Sequence, residues 1–150
     1  MASTNKEMNR TEWNKTPYSS TEAKDTIRDI DRLFTKYGIK QHQIISSNGP
    51  HGRPGFAIQF VTRDKTYLIG LETLPVRGVN ESSLMAQIKR AVYFQLKVAL
   101  EACSVFFSPE EILFPFLVLP SGQTFYQTVE PHLDKLPSEG LKPLLQLPKE

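Results

Sequence analysis

The sequence has few cysteines and no long hydrophobic stretch, and these absences exclude several classes of protein. Among 150 residues there is a single cysteine, Cys103, so no disulfide can form within the chain and a reducing compartment is expected. No apolar run approaches the roughly 18 residues that span a bilayer. The polar amino terminus lacks the apolar segment of a signal peptide. We therefore expect a cytoplasmic protein without a membrane partner.

Catalytic and metal-binding patterns are also missing. The three histidines, His42, His51 and His132, lie in separate segments without the spacing of zinc ligands. The sequence contains neither the GxSxG motif of a nucleophile elbow nor a P-loop motif. Cys103 falls on the apolar side of a predicted helix, which favours an unreactive thiol. The sequence thus predicts no catalytic residue, no metal and no cofactor, and favours a non-enzymatic protein.

What is present is sufficient for one folded domain. Hydrophobic residues make up 39% of the chain and charged residues 23%, so a core can form. Residues 1–17 lack periodicity and are interpreted as a flexible N-terminal arm. Residues 18–136 form the predicted domain, and the proline-punctuated residues 137–150 form a C-terminal tail.

Two strong helical patterns frame a predicted sheet. A capping box at Ser19 opens a helix whose apolar residues Ala23, Ile27, Ile30, Phe34 and Tyr37 share one face, and Gly38 ends it. From residue 82 to about 106 there is neither proline nor glycine. This second helix is apolar on nearly all sides, so we expect it to be central and covered on several sides.

Between these helices lie alternating apolar segments typical of strands. They cover residues 41–47, 56–61 and 67–71, and the last two flank a turn at residues 63–65. Further on, residues 116–119 suggest a short strand, and Thr124 with Gln127 forms a capping box for a last helix of about ten residues, which Pro131 could kink. The predicted class is α+β: a small antiparallel sheet of about three strands, packed on a long central helix and flanked by shorter helices.

The charge is unevenly distributed along the chain, which bears on the choice of partner. Residues 36–97 hold nine bases and three acids, a net charge of +6, whereas residues 98–150 carry −4. Bases interleaved with an aromatic residue suit DNA or RNA. The candidate nucleic-acid contacts are Arg53, Arg63, Lys65, Lys89, Arg90, Tyr93 and Lys97. The alternative is an ordinary solvated face.

The loop at residues 48–55 and the two chain ends offer further candidates. The loop glycines, with His51 and Arg53, could hold a phosphate, but the same loop serves equally as a connection between strands. Trp13 in the arm, either a docking anchor or a residue resting on the core, and the tail residues Leu144 and Leu145 could contact a host or viral protein. A homodimer could supply cover for the long helix.

Several motifs together resemble a group of small bacteriophage and prophage proteins of uncharacterised activity. They are Thr16-Pro17-Tyr18, the helix ending in Tyr37-Gly38, the hairpin, residues 97–102 of the long helix, residues 108–111 and residues 119–124. The resemblance implies a viral accessory protein in the host cytoplasm and transfers no residue role. We therefore expect a non-enzymatic accessory protein that contacts nucleic acid through its basic centre. The alternative is an adaptor or inhibitor that binds a host or viral protein through its arm, its tail or a face of the long helix.

Overall fold

A computed structural model describes residues 7–19, 26–105 and 109–135 of the chain. Two of the predicted features fall outside these ranges. They are the first turns of the helix predicted from Ser19 and the C-terminal tail with Leu144 and Leu145. The long helix, predicted to run to about residue 106, ends at Cys103 with Ser104 as its C-cap.

The secondary structure follows the predicted order, with short additional elements near both ends of the described chain. The α-helices are α1 (Arg10–Asn14), α2 (Thr26–Lys36), α3 (Glu81–Cys103), α4 (Pro109–Leu113) and α5 (Phe125–Val129). The strands are β1 (Gln41–Asn48), β2 (Pro54–Thr62) and β3 (Lys65–Glu72). Two 3₁₀ helices cover Phe114–Phe116 and Glu130–Lys135.

The three strands form one antiparallel sheet in the order β1-β2-β3, which confirms the predicted α+β class. The register places Ile44 beside Ile58 and Ile58 beside Ile69, so one face of the sheet is continuously apolar. A two-residue turn joins β2 to β3. Both of its residues, Arg63 and Asp64, have positive φ angles of 52° and 64°, as the right-handed twist of a tight hairpin requires.

The core lies between this apolar face and the helices α2 and α3. Phe34 of α2 packs against Phe60 of β2, with 5.5 Å between ring centroids, and Val92 and Leu96 of α3 are fully buried in the same cluster. Gly38, two residues after the end of α2, has a φ of 70°, a backbone conformation that residues with a side chain disfavour. Burial of these large side chains is the main source of stability.

Two details of helix packing differ from the prediction. The buried face of α2 contains Leu33 together with Ile30 and Phe34. Ile27 is exposed because Thr26, the residue before it, occupies the buried face at the start of α2. The predicted cover around the long helix is incomplete in the described chain. Val98 is 63% exposed, since the sheet, α2 and α4 contact other sides of α3.

The region after α3 is also less regular than predicted. The capping box is confirmed, because the Thr124 hydroxyl accepts from the Gln127 amide and the Gln127 side chain accepts from the Thr124 amide. The helix that it opens has five residues and continues as a 3₁₀ helix, since Pro131 has no amide hydrogen to donate. The predicted strand at residues 116–119 reduces to single bridges at Leu117 and Val118.

Candidate binding surfaces

The N-terminal segment, residues 7–19, is attached to α3 by a buried tryptophan. Trp13 is only 7% exposed, and its indole Nε1 donates to the Gln87 side-chain oxygen at 2.6 Å. The Gln87 amide group donates in turn to the Thr16 hydroxyl at 2.6 Å and to the Pro17 carbonyl at 2.8 Å. Both polar groups of the Gln87 side chain therefore serve to hold the N-terminal segment.

A second attachment lies at the start of the same segment. The Met8 amide donates to the Pro75 carbonyl, the Arg77 amide donates to the Met8 carbonyl, and Arg77 pairs with Glu7 through two 3.0 Å hydrogen bonds. Within the segment predicted to be a flexible arm, Arg10–Asn14 form the short helix α1. Asn9 caps this short helix by accepting from the Glu12 amide.

Trp13 is a candidate protein contact in the sequence, with a place on the core as the alternative. The structure shows the alternative, because the ring packs against this chain and finds its hydrogen-bond partner there. The prediction of a docking anchor is corrected accordingly. One edge of the ring nevertheless lines an opening, described next.

An open cavity of about 350 Å³, here called the N-terminal cavity, lies between the N-terminal segment, residues 71–76 and the first half of α3. Its lining is mostly apolar. The lining residues are Met8, Trp13, Thr16, Pro17, Tyr18, Leu71, Glu72, Thr73, Leu74, Val76, Leu84, Gln87, Ile88 and Ala91. Leu74 is 54% exposed and Leu71 is 42% exposed at its mouth. These two leucines present apolar surface that the chain does not cover with its described residues.

The predicted nucleic-acid residues do not converge on one surface. Arg53 precedes β2 and Arg63 follows it, and a strand of this length separates them by roughly 30 Å. Lys65 lies at the Arg63 end, whereas the Lys89 ammonium sits 5.8 Å from the centre of the Phe56 ring at the opposite end. Sequence could not show this separation, because it depends on the direction of α3 relative to β2.

Three of these bases are also engaged by acidic side chains. Arg63 pairs with Glu110 at 3.2 Å, Arg90 with Asp29 at 2.7 Å, and Lys97 with Glu101 at 3.9 Å. These contacts neutralise part of the charge that a phosphate would need. Among the residues that the structure describes, no carboxylate oxygen lies within 4.0 Å of the charged side-chain nitrogens of Arg53, Lys65 or Lys89.

The aromatic member of the predicted set belongs to a cluster on α3. The Arg90 guanidinium lies 4.8 Å from the Tyr93 ring centroid and 5.2 Å from that of Phe94, and Tyr18 stacks on Phe94 at 5.3 Å. Tyr93 itself is half-buried and meets Phe94 edge to face. Arg90 therefore connects α3 to α2 through Asp29, and the Tyr93 ring already contacts Arg90 and Phe94 within α3.

The loop that could hold a phosphate holds a carboxylate of the same chain instead. Glu72, at the end of β3, accepts from the backbone amides of His51 and Arg53 at 2.9 and 3.1 Å and pairs with the His51 ring at 2.6 Å. Burial raises the pKa of Glu72, but the hydrogen bonds from His51 and Arg53 outweigh it and lower the pKa below its usual 4.5. These anion-binding groups are thus already used.

A second opening, the sheet-face cavity, was not anticipated from the sequence. It has about 280 Å³ and lies on the face of the sheet away from α3, between the β1–β2 loop and α5. Its floor is low because Ala57 and Gly70 are paired across β2 and β3, and a Cβ at Gly70 would come within 2.9 Å of that of Ala57. The small residues at positions 57 and 70, which lie in neighbouring strands, are the sequence signal that could have indicated this cavity.

The remaining chemistry is sparse. In residues 7–19, 26–105 and 109–135, no three His, Cys, Asp or Glu side chains come together as a metal-binding group. Burial raises the pKa of the Cys103 thiol, which disfavours the nucleophilic thiolate. Of the helices in these ranges, none combines the length and the hydropathy that crossing a membrane requires.

Neither the N-terminal cavity nor the loop around Glu72 can be interpreted through relatives. No protein-family model matches the chain, and neither a curated protein nor a solved structure shows significant similarity to it. The resemblance to phage proteins stays a prediction. The observations that bear on function are therefore the geometry of the two cavities and the distribution of charge.

Proposed function

We propose that the protein is a non-enzymatic adaptor that binds another protein through the N-terminal cavity. The observation that carries this proposal is the pair of exposed leucines, Leu71 and Leu74, at the mouth of an apolar cavity of about 350 Å³. Soluble proteins seldom leave contiguous apolar surface uncovered unless it contacts a partner. The volume lies at the lower end of the range for binding pockets.

The lining favours an apolar protein segment over a phosphate-bearing partner. Among the described lining residues the only charged one is Glu72, whose carboxylate is held by His51 and Arg53. An inserted apolar side chain would therefore bury little unpaired polar surface. The arm and the face of the long helix, both candidates for protein contact in the sequence, form two walls of this cavity.

Trp13 supports the proposal as part of the wall. Its hydrogen bond to Gln87, and the two bonds from Gln87 to residues 16 and 17, fix the wall before any partner arrives. A wall that is already in place spares the partner the entropic cost of ordering it.

A library of displayed peptides tests this proposal, because selection from a library needs no named partner. We expect the purified protein to enrich peptides with two or more large apolar residues. Leu74→Glu should weaken their binding by roughly tenfold or more, because it places a charge at the mouth of an apolar cavity. Leu133→Glu is the matched control, since Leu133 is 40% exposed and does not line the cavity. Peptides that bind Leu74→Glu as well as the parent protein would contradict the proposal.

Nucleic acid is the alternative partner, because the charged side-chain groups of Arg53, Lys65 and Lys89 form no ion pair with a carboxylate of the described chain. Fluorescence anisotropy with labelled oligonucleotides across a salt series decides it. Phosphate-driven binding must weaken with a log–log slope of about −0.9 per neutralised phosphate on duplex DNA. Binding with a slope of several units, lost in a Lys89→Glu, Lys97→Glu double variant, would replace the protein partner with nucleic acid.

A further inference from the structure

The outer edge of β1 is uncovered in the described chain, and this concerns a surface separate from the N-terminal cavity. β1 pairs with β2 alone, and no residue in ranges 7–19, 26–105 or 109–135 bridges its other side. The strand has eight residues, and its register with β2 runs through eight consecutive pairs without a bulge. An uncovered edge of this length is a template for another strand.

The hydrogen-bond pattern shows which residues of β1 face outward. The Gly49 amide donates to the Arg53 carbonyl, so the backbone groups of odd-numbered residues in β1 point toward β2. The even-numbered residues therefore present their N–H and C=O groups to the open edge. They are His42, Ile44, Ser46 and Asn48.

None of the usual protections against edge pairing is present in β1. Its sequence, QHQIISSN, contains no lysine, glutamate, aspartate or proline. Two copies of this strand can therefore approach each other without repulsion between like charges. Ile44 and Ile45, at its centre, are half-buried and offer apolar side chains on both faces of the sheet.

We propose that the open edge of β1 pairs antiparallel with β1 of a second copy of this chain, which joins two sheets into one of six strands. The pairing is centred on Ile45, because only that register matches all four outward-facing residues with one another. His42 then lies opposite Asn48 of the second copy, and Ile44 lies opposite Ser46. The twofold axis is perpendicular to the sheet, so both apolar cores remain on the same side.

This register fixes two distances. The two copies of Ile45 form a non-hydrogen-bonded pair, with Cα atoms about 4.5 Å apart. The two copies of Gln43 are displaced by four residues along the strand, or roughly 13 Å. The first distance permits a disulfide between substituted cysteines, whereas the second forbids one.

Cysteine cross-linking tests the register. In a Cys103→Ala background, Ile45→Cys should convert to a disulfide-linked dimer on mild oxidation with oxidised glutathione, seen on non-reducing gels. Gln43→Cys, two residues away on the same face of the same strand, should form no disulfide-linked dimer under the same conditions. No cross-link in Ile45→Cys, or equal cross-linking in both variants, would overturn the proposal.

A proline at the open edge tests the pairing itself. Ser46→Pro removes an outward-facing donor and leaves the β1–β2 hydrogen bonds in place. Light scattering coupled to gel filtration should give a dimer for the parent protein and a monomer for Ser46→Pro, with the same circular dichroism. A monomeric parent protein, or a Ser46→Pro variant that remains dimeric, would refute the proposed dimer.

Discussion

The two edges of the sheet are treated differently by the same chain. At the β3 edge, the Val118 amide donates to the Thr66 carbonyl at 2.9 Å, and Leu117 bridges Tyr67. At the β1 edge, the described residues supply no such bond. The segment that covers the β3 edge follows α3 in the chain, whereas β1, whose outer edge is open, precedes α3.

The difference follows from which segments of the chain pass close to each edge of the sheet. After α3 the chain returns past β3 through α4 and a 3₁₀ helix, so Leu117 and Val118 reach that edge directly. On the other side, α2 packs over the core face of the sheet, with Phe34 stacked on His42 at 4.5 Å between ring centroids. It contributes no backbone group to the edge. Among the described residues none pairs with this edge, so its N–H and C=O groups face solvent or a partner strand.

The largest expected effect comes from breaking the inner side of β1. Ser47→Pro removes the amide that faces β2 and leaves its acceptor in the ladder unpaired, which should together cost roughly 3 kcal/mol. Ser46→Pro, one residue away, removes an outward-facing amide. Its effect on the free energy of unfolding, measured by urea denaturation of monomeric samples, should be much smaller.

Equal destabilisation by these two prolines would contradict the assignment of inward and outward residues in β1. The order of their effects is thus a test of the open edge that does not depend on dimer formation.

A middle-sized effect is expected at Glu72, which connects the end of β3 to the loop that follows β1. Glu72→Gln removes the charge from hydrogen bonds to two amides and an imidazole, and should cost about 2 kcal/mol at pH 7. The pKa of Glu72 is lowered in the folded state. Its stabilising effect is therefore full above about 4.5, its ordinary value, and is lost as the pH falls through the folded pKa.

Urea denaturation of both proteins at pH 7 and at pH 3.5 checks this dependence. The difference between parent and Glu72→Gln should shrink at the lower pH. Glu7 and Glu110, whose pKa values are also lowered, are common to both proteins and cancel in the comparison. A difference that stays constant with pH would show that the carboxylate charge is not what holds the loop.

The smallest effect is expected at the covered edge. Val118→Pro removes the one amide that donates to Thr66 and should cost about 1 kcal/mol more than Val118→Ala, which keeps that amide. Thermal unfolding of the two variants measures the difference. Identical stabilities would mean that this hydrogen bond does not protect the β3 edge.

The regular parts of the fold could be predicted because their signals are local. The alternation of Phe56, Ile58 and Phe60 specifies a strand with one buried face, and the capping box at Thr124 specifies the start of α5. The short helix α1 escapes prediction because five residues carry no periodicity. Its stability comes from Trp13 meeting Gln87, which lies 74 residues away in the sequence.

The candidate binding surfaces were less predictable for the same reason. A run of bases in the sequence says nothing about Asp29 and Glu110, which lie elsewhere in the chain and pair with Arg90 and Arg63. The pair of Lys97 with Glu101, in contrast, follows from their spacing of four residues on one helix. The N-terminal cavity lies between residues 8–18 and residues 71–91, which are distant in sequence, so no local pattern marks it. The glycine-rich loop does bind an anion, as its composition allows, but that anion is the Glu72 carboxylate.

The attachment of Trp13 to Gln87 gives the protein a built-in optical reporter. Trp13 is the only tryptophan among the 150 residues, so the indole emission of the chain comes entirely from the junction between the N-terminal segment and α3. Release of that segment would move the indole from a buried site into water, and its emission would shift to longer wavelength while the far-ultraviolet signal of the sheet and α3 stayed unchanged. Local detachment and global unfolding can therefore be followed separately in the unlabelled protein.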